Sequence, residues 1–258
     1  MTRTAFITGS AQGIGLAIAC RLAANGWAIG LHGLASPAQQ AEALARVRAA
    51  GASAVHFFEG DLREPQAVTG LAEAVLDWQG RVDVLVNNAG MQHTAPVTGM
   101  PPEVWQAVLA VNLSAAFLLM QALLPGMAQQ GWGRVVNIAS VHGLVASVHK
   151  APYVASKFGL VGLTKVAALE MAESGVTVNA LCPGWVETAL IEPQIAARAE
   201  RIGGSRDEGM RSLVLEKQPS GRMSRPEEIA EAVAMLCGDW AHNLTGVALP
   251  IDGGWTAQ

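Results

Sequence analysis

One stretch near the start, TAFITGSAQGIGLAIACRLAANG, constrains the fold more than any other part of the chain. It opens with a short β-branched and aromatic run, passes through a glycine-rich turn, and continues as an apolar-periodic helix. Strand, glycine turn and helix in that order form the context a dinucleotide phosphate site requires. Gly9 permits the tight turn, Gly13 lets the backbone approach a pyrophosphate, and Gly15 allows close helix–strand packing. The free amides at the start of the helix would then face the phosphates.

Strand and helix patterns alternate along the rest of the chain with short connections. That alternation predicts an α/β fold: a single Rossmann-type doubly wound parallel sheet with helices on both faces. The expected strands are TAFIT, WAIGLH, AVHFFE, VDVLVN, GRVVNIA, VTVNALC and VALPID. Expected helices include Ser36–Ala50, Glu64–Gln79, Ala110–Gln129 and Tyr153–Glu173. Ser224 and Glu227 read as a capping box opening a helix at RPEEIAEAVAML. No repeat or linker divides the chain, so residues 1–258 are expected to form one dinucleotide-binding catalytic domain. The charged, glycine-broken stretch Trp185–Arg222 follows the sixth strand and is expected to be a substrate lid.

Composition excludes several functions. A hydrophobic fraction of 51% and a mean hydropathy of +0.30 point to a heavily buried chain with apolar surface left for contacts between copies. A net charge of −4 offers no basic footprint for nucleic acid. Cys20, Cys182 and Cys237 are scattered and odd in number, which suggests reduced thiols in a cytoplasmic protein, two of them in the core. No His or Cys spacing suggests a metal. The first strand is expected to begin at once, so no signal peptide is expected, and no apolar run is expected to reach membrane-spanning length.

The chemistry gathers around Ser140, Tyr153 and Lys157. Tyr153, the chain's one tyrosine, stands a helical turn before Lys157 in YVASK, so both can leave one helix face. A free phenol titrates near pH ~10, too high for a base at neutral pH. A neighbouring ammonium favours the phenolate and lowers that value. Ser140 ends the apolar run RVVNIAS, at the sheet edge where ligands gather in open α/β folds. Together the three suit the transfer of a proton on or off an alcohol oxygen.

Taken with TGSAQGIG, GDL at Gly60–Leu62, NNAG at Asn87–Gly90, VN at Val111–Asn112 and PG at Pro183–Gly184, these residues give the whole chain its character. In order and spacing it resembles the short-chain dehydrogenase/reductase family. The resemblance implies a nicotinamide cofactor, a homotetramer, and catalytic roles for Asn112, Ser140, Tyr153 and Lys157. It implies cofactor contacts from Thr8, Gly9, Gly13, Ile14 and Gly15, from Asp61 and Leu62, and from Asn88, Ala89 and Gly90. Pro183, Gly184, Val186, Tyr153 and Lys157 complete that implied set. Asp61 would meet the adenine, and Asn112 would join a water-linked proton relay.

Cofactor choice rests on elimination. At the end of the second strand, LHGLASP has neither the acid typical of NAD sites nor the arginine typical of NADP sites. No arginine or lysine lies from Gly30 to Gln40 or in TGSAQGIG to meet a ribose phosphate, which favours NAD. Around Tyr153, His142 and Lys150 offer two cations, and Gln92 and Gln194 two amides, a set suited to a small carboxylate. NNAGMQH, IASVHGLVAS with the following HK, CPGW and DGGWTAQ narrow the resemblance to family members acting on a short 3-hydroxy acid. In these, residues matching Gln92, His142, Lys150 and Gln194 hold the carboxylate, and those matching Trp185 and Trp255 wall the methyl end. Two alternatives are an oxidoreductase for longer or esterified 3-hydroxyacyl substrates and a dinucleotide-binding redox sensor without turnover. The intact serine, tyrosine and lysine speak against the sensor.

Overall fold

The computed structural model describes residues 2–257. Seven strands build its sheet: β1 Thr4–Ile7, β2 Ala28–His32, β3 Ala54–Phe58, β4 Val84–Asn87, β5 Gly133–Ile138, β6 Val176–Pro183 and β7 Ala248–Ile251. They lie in the order β3-β2-β1-β4-β5-β6-β7, every pair parallel. The central strands are buried on both faces, which explains their unbroken apolar runs. The strand order reverses between β1 and β4, and a crevice opens at their carboxyl ends.

Helices cover both faces. On one, α1 (Gly13–Ala23), α2 (Pro37–Ala49) and α9 (Pro226–Leu236) bury Leu16, Leu22, Val47, Ile229 and Val233. On the other, α3 (Pro65–Gln79), α5 (Ala115–Gln129) and α6 (Ala151–Glu170) contribute Leu71, Val75, Leu119, Met127 and Ala167. The helix expected over Ala110–Gln129 starts earlier: α4 (Pro102–Leu109) runs through one wide π-helical turn, Ala110–Ser114, into α5. Pro102–Gln129 is therefore long and apolar enough, by length and composition, to cross a membrane, contrary to the expectation from the chain. Its face from Ala115 to Met127 packs into the core beneath the sheet, and that accounts for its apolarity.

Two further helices, α7 (Glu192–Ile202) and α8 (Arg206–Leu215), form the insertion after β6. Ile191, Ile195, Val214 and Met223 make their small private core. Arg206 pairs with Glu192 and Arg198 with Glu216 across the two helices.

The capping box at α9 is displaced by one residue. Pro226 takes the first helical position, so Arg225 is the N-cap and its amide donates to the Glu228 carboxylate at 2.8 Å. Ser224 is used elsewhere: its amide donates to the Trp185 carbonyl and its own carbonyl accepts from Glu187, stitching the two ends of the insertion together.

Candidate active site

The glycine turn after β1 is shaped by close approach. Gly9 has φ +61°, and a Cβ there would sit 2.8 Å from the Ala89 Cα. A Cβ on Gly15 would come within 2.5 Å of the Gly9 carbonyl oxygen and the Asn88 side-chain nitrogen. Thr8 is buried below the turn, where its hydroxyl accepts the amides of Asn88 and Ala89 at 3.0 Å each. The first turn and the NNAG turn are thus one rigid unit with a cradle above it. Gly9, Gly13, Ile14, Asp61, Leu62, Asn88, Ala89 and Gly90 line that cleft, with a volume of about 570 Å³. A backbone lined by side-chain-free positions at a helix N-terminus fits a dinucleotide.

Two residues in this cleft had no signal in the motifs. His32, at the end of β2, accepts the Gly9 amide on Nδ1 at 3.3 Å and meets the Gly60 carbonyl through Nε2 at 3.0 Å. With Nδ1 accepting, Nε2 carries the proton, and the neutral ring bridges two cofactor-side turns. Gly30–Gln40 and TGSAQGIG do lack a cation, but Arg63 lines the same cleft as Leu34, so the cleft itself is not free of one. The guanidinium is already held by Asp61, with Nε 2.9 Å and Nη2 2.5 Å from Oδ2. Arg63 holds the Asp61 carboxyl down to about 2.

The second cavity adjoins the first, sharing Ile14, Asn88 and Gly90, and has a volume of about 160 Å³. Ser140, Tyr153 and Lys157 all line it. Ser140 is extended at the tip of β5, and its hydroxyl oxygen accepts the His142 amide at 3.1 Å. Lys157 is buried and donates to the Ile138 carbonyl at 2.8 Å; burial pulls its pKa down to about 8. The half-buried Tyr153 phenol is pushed above its ordinary value by desolvation, with the Ser140 side chain pulling the other way through a hydrogen bond. This corrects the expectation that the Lys157 charge lowers it: the ammonium lies 5.6 Å from the ring centre and points a proton at Ile138. Asn112 lies in the π-helical turn behind the cavity. Its amide takes the Met91 N–H at 2.9 Å and donates to the Met91 carbonyl and the Ser156 hydroxyl at 3.0 Å.

The remaining wall holds every residue expected to meet a substrate. Gln92, His142, Lys150, Trp185, Gln194 and Trp255 surround the same cavity as Ser140 and Tyr153. Gln194 arrives on α7 and accepts from the Lys150 ammonium at 3.5 Å. Trp185 and Trp255 lie 5.5 Å apart, and His142 meets Trp255 edge-on at 5.5 Å. His142 is not the second cation expected. Burial, then the nearby Lys150 charge, push it down to about 4, so it is neutral at neutral pH. Pro183, Gly184 and Val186 line the cavity from the end of β6. Thr8, Gly15 and Asn112 line neither main cavity and act from behind as supports.

The model of the short chain dehydrogenase family matches residues 3–199. The chain belongs to the short-chain dehydrogenase family. Over essentially their full lengths it is 44% identical to D-beta-hydroxybutyrate dehydrogenase of Cupriavidus necator, covering 99% of this chain and 98% of that one. It is 43% identical to the enzyme of the same name from Rhizobium meliloti, covering 100% of both. Among solved structures, a variant of actinorhodin polyketide ketoreductase crystallised with NADPH superposes with a TM-score of 0.92 at 37% identity, covering 100% of this chain and 98% of the other. As a short-chain dehydrogenase the protein is an oxidoreductase that uses a nicotinamide dinucleotide, in keeping with the glycine cradle above Thr8.

A further residue of this short-chain dehydrogenase escaped the motif reading. Gln218, at the end of the insertion, is 2% exposed; it accepts the Trp185 amide at 3.1 Å and donates to the Arg222 carbonyl at 2.5 Å. It fixes the backbone at Trp185, under one wall of the second cavity. Nothing local marks it, because it sits in a charged, mostly exposed stretch.

Proposed function

We propose that the protein catalyses the reversible, NAD-dependent oxidation of D-3-hydroxybutyrate to acetoacetate. The observation that carries this reading is the small cavity that joins the Ser140–Tyr153–Lys157 group to Lys150, Gln194, Gln92 and an indole pair. A cation with two amides suits a carboxylate, and two indoles suit a methyl end while limiting chain length. The naming of the two hydroxybutyrate dehydrogenase relatives supports the same substrate.

In oxidation, Tyr153 takes the hydroxyl proton as general base, and in reduction it returns that proton. Ser140 accepts the His142 amide on its oxygen and shares its own proton with the Tyr153 phenol; with substrate bound, that proton would turn to the substrate oxygen as charge develops there. Lys157 has one of its three protons on Ile138, which leaves two to donate, and its Nζ lies 3.7 Å from where a Cβ on Gly90 would sit. That is where a ribose hydroxyl would be held. The dinucleotide, when bound, supplies the hydride acceptor. Asn112 steadies the Met91 backbone and Ser156 behind this group and is read as part of the proton relay.

NAD is the preferred dinucleotide in this reading, because the Arg63 guanidinium is spent on Asp61. The insertion α7–α8 acts as the substrate lid of one catalytic domain, carrying Gln194 to Lys150. Phe117, Phe158, Val166 and Leu169, exposed on α5 and α6, support assembly into a homotetramer. The unpaired Cys20, Cys182 and Cys237 support a cytoplasmic setting.

The test is a spectrophotometric screen of NAD and NADP against short hydroxy acids of both hands. D-3-hydroxybutyrate with NAD should give the highest kcat/KM. A higher value for a hydroxyacyl thioester or a neutral alcohol would overturn the reading.

A further inference from the structure

His149 is, among the described residues, the only non-glycine residue with a left-handed backbone, at φ +64°. Left-handed backbone is uncommon in a residue with a side chain, and histidine tolerates it better than most. The His149 side chain is exposed, and so is that of Val148 before it. Lys150, the next residue, is only partly exposed and lines the substrate cavity, with Nζ 3.5 Å from Gln194 Oε1 and 5.6 Å from the Trp185 ring centre. The His149 carbonyl accepts the Ala95 amide at 2.9 Å, and Ala95 bridges to Lys150. Gln92 lies three residues before Ala95 on that same strap and lines the cavity as well. Immediately after Lys150, α6 begins, with Tyr153 in its first turn.

One left-handed residue therefore turns the chain between an exposed loop and the catalytic helix, at the point where the cavity's cation enters. We propose that His149 is a specificity-determining positioning residue, whose backbone conformation rather than its imidazole aims Lys150 at the substrate carboxylate. This rests on the reading that Lys150 meets a carboxylate. A residue at 149 that resists φ near +60° would swing Lys150 away or loosen the Ala95 tie. Glycine and asparagine adopt that conformation readily, whereas a β-branched residue there is a genuine outlier.

The experiment measures kcat and KM for D-3-hydroxybutyrate and for its methyl ester in His149→Gly, His149→Asn, His149→Ala, His149→Val and Lys150→Met. Circular dichroism and NAD binding are followed in parallel. His149→Val should raise KM for the acid about tenfold, in keeping with the cost of a side chain in left-handed backbone, and leave the ester and NAD binding nearly unchanged. His149→Ala should fall between, and serves if the valine variant fails to fold. His149→Gly and His149→Asn should keep the wild-type KM.

Gly and Asn variants as impaired as Val would assign the effect to the imidazole and overturn the proposal. Equal losses on acid and ester in His149→Val would show a general structural role and overturn it too. If Lys150→Met discriminates acid from ester but His149→Val does not, only this proposal fails. If Lys150→Met does not discriminate, the carboxylate reading fails and takes the proposal with it.

Discussion

The Lys157 ammonium lies 5.6 Å from the centre of the Tyr153 ring, while its short 2.8 Å hydrogen bond goes to the Ile138 carbonyl. Lysine and tyrosine are neighbours on one helix face, but the lysine's closest partner is the strand end beneath them. Burial keeps the phenol high and the ammonium low, so each protonation state is poised against desolvation.

Removing the Tyr153 hydroxyl should separate binding from turnover. Tyr153→Phe is expected to keep NAD binding and lose roughly 10²–10⁴-fold in kcat. Because the phenol is raised, kcat/KM for oxidation should climb with pH on the alkaline side, and reduction, which needs the protonated phenol, should not share that rise. Stopped-flow turnover and NAD titration check both. Substantial activity in the phenylalanine variant would move the proton transfer to another group.

Loss of the cavity's cation should be read by substrate charge. Lys150→Ala leaves a bound carboxylate unpaired and should cost on the order of 2–5 kcal/mol on the acid, with a much smaller effect on the methyl ester. Gln194→Ala should cost the acid about 0.5–1.5 kcal/mol, the scale of a neutral hydrogen bond. Comparison of kcat/KM for acid and ester in both variants tests the assignment; equal losses would reduce it to an unspecified alcohol dehydrogenase.

The Arg63–Asp61 pair keeps the cleft's guanidinium from a ribose phosphate. While Asp61 holds the guanidinium, kcat/KM should favour NAD over NADP, and Arg63→Ala should leave that ratio little changed. A preference for NADP that collapses in Arg63→Ala would mean the guanidinium leaves Asp61 for a ribose phosphate.

His142 should make the fold acid-sensitive. The unfolded chain takes up a proton at this histidine near pH ~6.5, while the folded chain resists until about 4. The folded-state value is depressed, so its stabilising contribution is complete above the unfolded value and is lost as pH falls toward the folded one. His142→Gln should flatten the loss of stability between about pH 6.5 and about 4, followed by urea melts. An unchanged acid limb would assign that sensitivity to the carboxylates.

All seven strands are readable from the chain because each is a short run rich in apolar residues between turn residues; burial on both faces imposes this on β1, β2, β4, β5 and β6, while the edge strands β3 and β7 keep it though partly exposed. The glycine turn, Ser140 and the Tyr153–Lys157 spacing are local for the same reason: a backbone conformation or a helical period determines each. The cap of α9 falls one residue beyond Ser224 because Pro226 takes the first helical position, and the Pro102–Leu109 helix continues through the π-helical turn, whose altered period hides that continuity in the chain.

Only the tertiary structure decided the rest. Arg63 follows β3, yet the pairing of β3 with β2 brings it to the same cleft as Leu34, although the second strand and the residues after it as far as Gln40 carry no arginine or lysine of their own. Gln218 reaches Trp185 across 33 residues, and Gln194 reaches Lys150 across 44. The neutrality of His142 and the raised Tyr153 phenol belong to neither residue's neighbours in sequence. The chain alone names the ionisable groups, but desolvation sums over every atom packed around them, and only the folded arrangement determines which charge survives.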